Sequence, residues 1–202
     1  MDFLEERIRR EGVVLPGNVL KVNDFLNHQL DVALLDRLGG EFARLFKGTE
    51  VTKILTVESS GIAVACSIAR AMGNIPVVFA KKHSSPKMSE DVYYATVWSY
   101  INSCNYNIVV SKKYISPQDK ILLADDFLAN GNALNGLIEM IEAVGAHVQG
   151  ACIAIEKGFQ GGGDSLRKKG YRIESGVIID SMSYDGTIVF RKQQEHIPAA
   201  LT

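Results

Sequence analysis

The chain is 202 residues long, with 22 basic and 23 acidic side chains and a formal net charge of −1. That length suits one domain, with room for a small appended hood but not for a second catalytic domain. The charge balance excludes a broadly positive surface of the kind that attracts nucleic acid or anionic lipid, so neither a nucleic-acid nor a membrane partner is expected.

In chain order, residues 2–10 read as a short charged helix. The segment Met1 to Glu11 has no apolar signal-peptide core, and no later window is long enough to cross a bilayer, so a cytoplasmic protein is expected. Residues 13–24 alternate turn and apolar residues, as an irregular or β-like lobe would. Leu34, Leu35, Leu38, Phe42, Leu45 and Phe46 fall at helical spacing and predict a helix over 31–46 with one buried face. A buried strand over 52–57, an Ala-rich helix over 61–72 and a strand over 76–80 form a βαβ unit with short connections, which implies a parallel sheet. The polar stretch 81–91, with Pro86 and several serines, has no periodicity and reads as a mobile loop. It leads into a hairpin over 92–101 and 106–111, rich in β-branched and aromatic residues. Then follow a strand over 120–124, a helix over 131–144, a strand over 148–155, a short helix over 164–169, and strands near 171–179 and 187–191. Gly161-Gly162-Gly163 reads as a flexible turn. Cys66, Cys104 and Cys152 are odd in number, widely spaced and without metal-ligand spacing, so they read as reduced core residues. The class is α/β, expected as a single domain over 1–202 with a hood built from about 1–30 and the C-terminal strands at about 171–191.

In open α/β sheets ligands sit outside the carboxyl ends of the parallel strands, and the polar motifs of this chain fall there. The most informative runs from Ile121 to Ala133: an apolar strand, the acids Asp125 and Asp126, then Ala129-Asn130-Gly131-Asn132-Ala133 opening a helix. Unpaired N–H groups and the positive end of the dipole at a helix start suit a phosphate, and Gly131 permits close backbone approach. The two carboxylates upstream can accept hydrogen bonds from a ribose diol or neutralise positive charge growing on a sugar carbon. The competing reading is a solvated acidic turn. Glu58-Ser59-Ser60-Gly61 links a strand to a helix and offers hydroxyls and N–H groups for a second anion, or simply a serine N-cap; Lys81 after the next strand could meet the same anion or be solvated surface. In Glu156-Lys157-Gly158-Phe159, Lys157 could donate to a heterocycle while Phe159 packs on its face, the alternative being a surface ion pair and a core-edge aromatic. His28 has no visible carboxylate partner and is given no role. There is no Gly-x-Gly-x-x-Gly run, no Gly-Lys-Ser/Thr phosphate loop and no Gly-x-Ser-x-Gly elbow, which argues against dinucleotide oxidoreductases, nucleoside triphosphatases and serine hydrolases.

The segment Ile121 to Ala133 resembles the phosphoribosyl diphosphate signature of the type I phosphoribosyltransferases. The segments Glu11 to Leu15, Val19 to Val22, Phe25 to Gln29, Glu58 to Ala63, Val77 to His83 and Ile155 to Gln160 are similar, in order, to those of the bacterial xanthine phosphoribosyltransferases, up to about residue 190. The resemblance implies the type I fold: a mostly parallel central sheet flanked by helices, a small hood, and an antiparallel hairpin carrying a mobile loop. It implies that Leu20, Asn27 and Lys157 contact the purine base, here xanthine, and that Ala129 to Ala133 hold the 5′-phosphate of phosphoribosyl diphosphate; Phe159 joins the xanthine contacts from the reading of its own motif. Asn130 stands where the commonest signature has Thr, replacing a hydroxyl donor by an amide. The expected reaction gives xanthosine monophosphate and diphosphate. Asp125 and Asp126 act at the ribose, Ser59, Ser60 and Lys81 receive the diphosphate, and Mg²⁺ is held mainly through substrate oxygens. The stretch Lys82 to Asp91 is the candidate lid. A homodimer is implied as well. The alternatives are transfer to guanine, hypoxanthine or adenine, and a non-catalytic regulator that binds phosphoribosyl diphosphate. The tail 193–202 has no counterpart that assigns it a role.

Overall fold

A computed structural model of the chain describes residues 1–83, 91–99 and 104–193. Most of the proposed lid and the tail beyond residue 193 lie outside these residues. The elements are α1 (Asp2–Glu11), β1 (Val13–Leu15), β2 (Val19–Lys21), a π-helical turn at Asn23–Asn27, α2 (Val32–Leu45), β3 (Lys53–Val57), α3 (Gly61–Ala71), β4 (Val77–His83), β5 (Val92–Ser99) and β6 (Cys104–Ser111). They continue with β7 (Lys120–Leu128), α4 (Asn132–Val144), β8 (His147–Lys157), α5 (Gly162–Lys168), β9 (Ile173–Met182) and β10 (Ile188–Phe190).

One eight-stranded sheet has the order β10-β9-β8-β7-β3-β4-β6-β5, and β1 and β2 form a separate antiparallel pair. The five strands β4, β3, β7, β8 and β9 run parallel, while β5, β6 and β10 are antiparallel additions at the two edges. Alternation along β7 divides the interior. Leu122 and Ala124 enter the core under α2 and α3, with Leu38, Phe42, Val64 and Ile68, whereas Ile121 and Leu123 enter the core under α4, with Leu137 and Ile141. The Asp31 side chain caps α2 by accepting from the Leu34 N–H at 3.0 Å. At the amino ends of the strands, Asp119 accepts from Lys53 Nζ at 2.7 Å, Thr52 Oγ1 at 2.9 Å and Ser116 N–H at 2.8 Å, tying β3 to β7. Burial alone would raise the Asp119 acid; the Lys53, Ser116 and Thr52 hydrogen bonds outweigh it and hold the carboxyl at about 2.

Several boundaries differ from the sequence reading. The strand expected to stop at Ala124 continues to Leu128, because β8 keeps pairing with it through Leu128 opposite Glu156; the two acids therefore sit within a strand. Likewise β4 passes through Lys81, since β6 pairs with it at Lys81 and Lys82. The C-terminal strands lie in the large sheet, β9 with seven consecutive buried residues from Ile173 and β10 on its edge, and they touch the N-terminal segment where Arg9 donates to the Ile188 carbonyl at 3.2 Å and the Gly17 N–H to the Tyr184 hydroxyl at 3.4 Å. Gly162 and Gly163 are buried at the start of α5 and are not a flexible turn. Of the cysteines, Cys152 is in the core, while Cys66 and Cys104 are exposed on α3 and β6.

Candidate active site

A cavity of about 800 Å³ opens at the carboxyl ends of β7 and β8. The turn Ala129 to Ala133 forms its floor, the hood turn at Gly17 and Asn18 with Leu20 and Asn27 its roof, and Val97, Trp98 and Tyr106 of the hairpin one wall.

The floor is built to present N–H groups. Gly131 has φ 83°, a left-handed conformation that strains any residue with a side chain. The Ala129 carbonyl accepts from the Gly162 N–H at 3.1 Å, and the Gly131 carbonyl accepts from both the backbone N–H and the Nδ2 of Asn135, at 2.8 and 2.9 Å. In a trans peptide the N–H points opposite to the carbonyl. Anchoring these two carbonyls therefore turns the N–H groups of Asn130 and Asn132 the other way, and both residues line the cavity. The Asn132 side chain is committed elsewhere, donating to the Trp98 carbonyl at 3.1 Å and so fastening the hairpin wall to the floor.

Asp125 and Asp126 both line the cavity. The Asp126 side chain is buried, and the Asp125 Oδ1 accepts from the Asp126 N–H at 3.0 Å. Burial pushes the Asp125 acid well above the ordinary carboxylate range, the neighbouring Asp126 charge adds to the rise, and Lys82 opposes it. Tyr106 across the cavity is raised too, by burial and then by the Asp125 charge. Positive charge delivered between these carboxylates relieves repulsion already present, so the site favours a cationic group or transition state over a neutral one. Two carboxylates with room for substrate oxygens also fit Mg²⁺, which commonly takes one or two carboxylates and completes its octahedron from phosphates and water. Among the described residues no group of three or more His, Cys, Asp or Glu side chains could hold a metal by itself.

At the other end Lys157 is half-buried, and burial brings the pKa of its ammonium group below the usual lysine value. Its Nζ donates to the Asn18 carbonyl of the hood turn at 2.9 Å and lies 5.5 Å from the Phe127 ring centroid. Leu20, Asn27 and Lys157 thus meet at one cavity, but Phe159 does not join them. It is 37% exposed on the 3-10 turn that follows β8, which swings it outward, and Phe127 is the aromatic that lines the cavity. An aromatic inside the acid signature was the available signal for Phe127. Gln160 also lines the cavity, with a buried Oε1 that has no hydrogen-bond partner among the described residues.

Ser59, Ser60 and Lys81 are not among the residues lining this cavity; they form an adjoining loop and strand. Ser60 stands at the N-cap position of α3 and makes no side-chain cap hydrogen bond there. Glu58 fastens the loop to β4, its Oε1 accepting from the Lys82 N–H at 2.7 Å. The next residue but two, Gly61, brings the loop against Asp125. Val97, Trp98, Tyr106 and Asn18 were missed by sequence reading, since each reaches the cavity only through long-range pairing or the placement of the hood; Gln160, on the turn just after Lys157, was missed too.

A glycine turn opening a helix, an acid pair and a cavity lie together at the carboxyl ends of a parallel sheet, where open α/β sheets bind their ligands. Residues 21–185 match the family model described as "Phosphoribosyl transferase domain", and the chain belongs to the phosphoribosyltransferase family. Among its relatives, the xanthine phosphoribosyltransferase of Bifidobacterium adolescentis is 54% identical over 95% of this chain and 100% of its own length. That of Lachnoclostridium phytofermentans is 50% identical over 95% of this chain and 98% of its own. The solved APRTase of Giardia lamblia, in complex with 9-deazaadenine, superposes with a TM-score of 0.71 at 23% identity, covering 87% of this chain and 97% of that one. The adenine phosphoribosyltransferase of Saccharomyces cerevisiae gives 0.68 at 18% identity, covering 87% and 99%. These two structures share the fold.

Proposed function

We propose that the protein transfers the phosphoribosyl group of phosphoribosyl diphosphate to xanthine, forming xanthosine 5′-monophosphate and diphosphate in purine salvage. The observation that carries this reading is the single cavity joining the Ala129–Ala133 turn and the acid pair at one end to Leu20, Asn27 and Lys157 at the other. The names of the relatives at half identity or more support the choice of base.

In this reading the N–H groups of the turn hold the 5′-phosphate, and Asp125 and Asp126 take the ribose hydroxyls. Cleavage at the anomeric carbon builds oxocarbenium character before the base nitrogen arrives, and the crowded carboxylates stabilise that charge more than they stabilise the neutral ground state. Lys157 faces the 2-oxo and ring-nitrogen edge of the base, where a cation favours xanthine because that base loses a ring proton more readily than guanine does. Asn27 directs an amide N–H at the same edge, and the Phe127 ring supplies the apolar surface beside it. Ser59, Ser60 and Lys81 receive the departing diphosphate in the adjoining loop. Mg²⁺, when bound, would supply charge neutralisation to the substrate oxygens, and Asp125 and Asp126 are the carboxylates of this cavity that would help hold it.

We read the chain as one domain with its hood in about residues 1–30, as a homodimer, and as a cytoplasmic protein whose three cysteines stay reduced. Sedimentation of the purified chain tests the dimer. The decisive test of function is formation of xanthosine monophosphate by purified protein given phosphoribosyl diphosphate, Mg²⁺, and xanthine and guanine in competition. Preferential guanosine monophosphate would move the base assignment, and no nucleotide at all would remove the reading.

A further inference from the structure

The glycine pair Gly162-Gly163 and the ion pair behind it belong to no part of the chemistry described so far, yet they touch the phosphate turn. The Gly162 N–H donates to the Ala129 carbonyl, and a Cβ on Gly162 would lie 2.3 Å from that oxygen and 2.6 Å from the Gly131 nitrogen. A Cβ on Gly163 would lie 2.1 Å from the Glu156 Oε1. Glu156 is fully buried at the end of β8 and is gripped by both arms of the Arg167 guanidinium, at 2.8 Å to Oε1 and 2.7 Å to Oε2. The Arg167 NH2 also donates to the Ile173 carbonyl at 3.2 Å, and Asp164, 3.3 Å from Arg167, is held in turn by Arg191 at 2.9 Å. α5 is thus pinned to β8 by one bidentate contact, and its first turn is pressed without side chains against the back of the phosphate turn.

We propose that Arg167, Glu156 and Gly162 are positioning residues for the 5′-phosphate site: they set the Ala129 carbonyl from behind, and that carbonyl fixes where the Asn130 N–H points. The inference rests on the reading of the turn as a phosphate site, and it assigns that site a second layer. The physical argument is geometric. Arg167 and Glu156 form a planar fork with two parallel hydrogen bonds, which fixes the orientation of α5 as well as its distance. A lysine would keep the charge and lose the orientation. Because the donors must be preplaced to within a fraction of an ångström, a small rotation of α5 acts on ligand affinity.

The test is calorimetric titration of the full chain with ribose 5-phosphate, which needs no catalysis and separates affinity from the fraction of competent protein. Three variants are used: Arg167→Lys, Gly162→Ala, and Glu156→Gln combined with Arg167→Met. The last removes both charges together, so neither is left buried and unpaired and the fold is retained. Expected is a dissociation constant weakened about tenfold or more in each, at unchanged stoichiometry. The KM for phosphoribosyl diphosphate should rise in proportion while the KM for xanthine stays at the wild-type value. Variants that bind ribose 5-phosphate as tightly as wild type overturn the inference. So does a fall in stoichiometry at unchanged affinity, the signature of mere loss of folded protein. Failure of the wild-type chain to bind ribose 5-phosphate is a different result, and it overturns the phosphate reading itself.

Discussion

Gly61 at the start of α3 meets the Asp125 carboxylate: a Cβ there would stand 2.7 Å from Asp125 Oδ1 and 2.3 Å from Thr56 Oγ1. Only a residue without a side chain lets the loop after β3 come this near the acid pair. The contact helps exclude water from Asp125, and that desolvation is the leading cause of its weakened acidity.

Gly61→Ala should therefore damage both stability and the diphosphate end of the site. A methyl forced into a filled space costs about 1–3 kcal/mol. The loop must also retreat from Asp125. A urea melt measures the first effect, and a rise in KM for phosphoribosyl diphosphate with little change for xanthine measures the second.

Asp125→Asn should make the folded protein more stable while removing activity. A carboxyl whose pKa is raised in the folded state binds its proton more tightly there, so stability falls as pH rises from the ordinary carboxylate value of 3.8 to the raised one. Asparagine carries no such penalty, and its Oδ1 can still accept from the Asp126 N–H. The expected result is a higher thermal midpoint at neutral pH together with a loss in kcat of about a hundredfold or more. A lower midpoint would contradict the electrostatic account of the pair.

Lys157→Ala should reduce kcat/KM for xanthine by about tenfold to a hundredfold, because the proposed reading makes this half-buried cation a donor to the base. Binding of phosphoribosyl diphosphate should change much less. The same substitution releases the Asn18 carbonyl, so amide hydrogen exchange at residues 17–20 should quicken. Equal damage to both substrates would take Lys157 out of the base recess.

Asp119→Asn tests the opposite end of the sheet. The carboxyl is held at about 2, below its ordinary 3.8, so it adds stability that is complete above pH 3.8 and disappears as pH falls toward 2. A shift of this size is worth about 2 kcal/mol. The variant should be less stable than wild type by about that much near neutral pH, with the gap closing in acid. Denaturant melts across the range would show it, and kcat should not change, since the residue lies far from the cavity.

The acid pair and the turn from Ala129 to Ala133 were legible in the sequence because their chemistry is local. A glycine with φ 83°, two carboxylates and the first N–H groups of a helix fall within one short run of the chain, and no distant contact is needed to bring them together. The βαβ unit was legible for the same reason, its apolar runs being long and sharply bounded. Tertiary structure decided the rest. β7 runs past the acids because β8 continues beside it, and β8's turn sends Phe159 outward while Phe127 faces the cavity. The three glycines after Gln160 look flexible as a string, yet Gly162 and Gly163 serve as close-contact surfaces once Ala129 and Glu156 lie against them. The hairpin wall at Trp98 and Tyr106 and the Lys157–Asn18 bond likewise join residues far apart in the chain. Backbone chemistry within one turn is written in neighbouring letters; the direction of a side chain and the closeness of two backbones depend on strand pairing across the whole sheet, which no local stretch encodes.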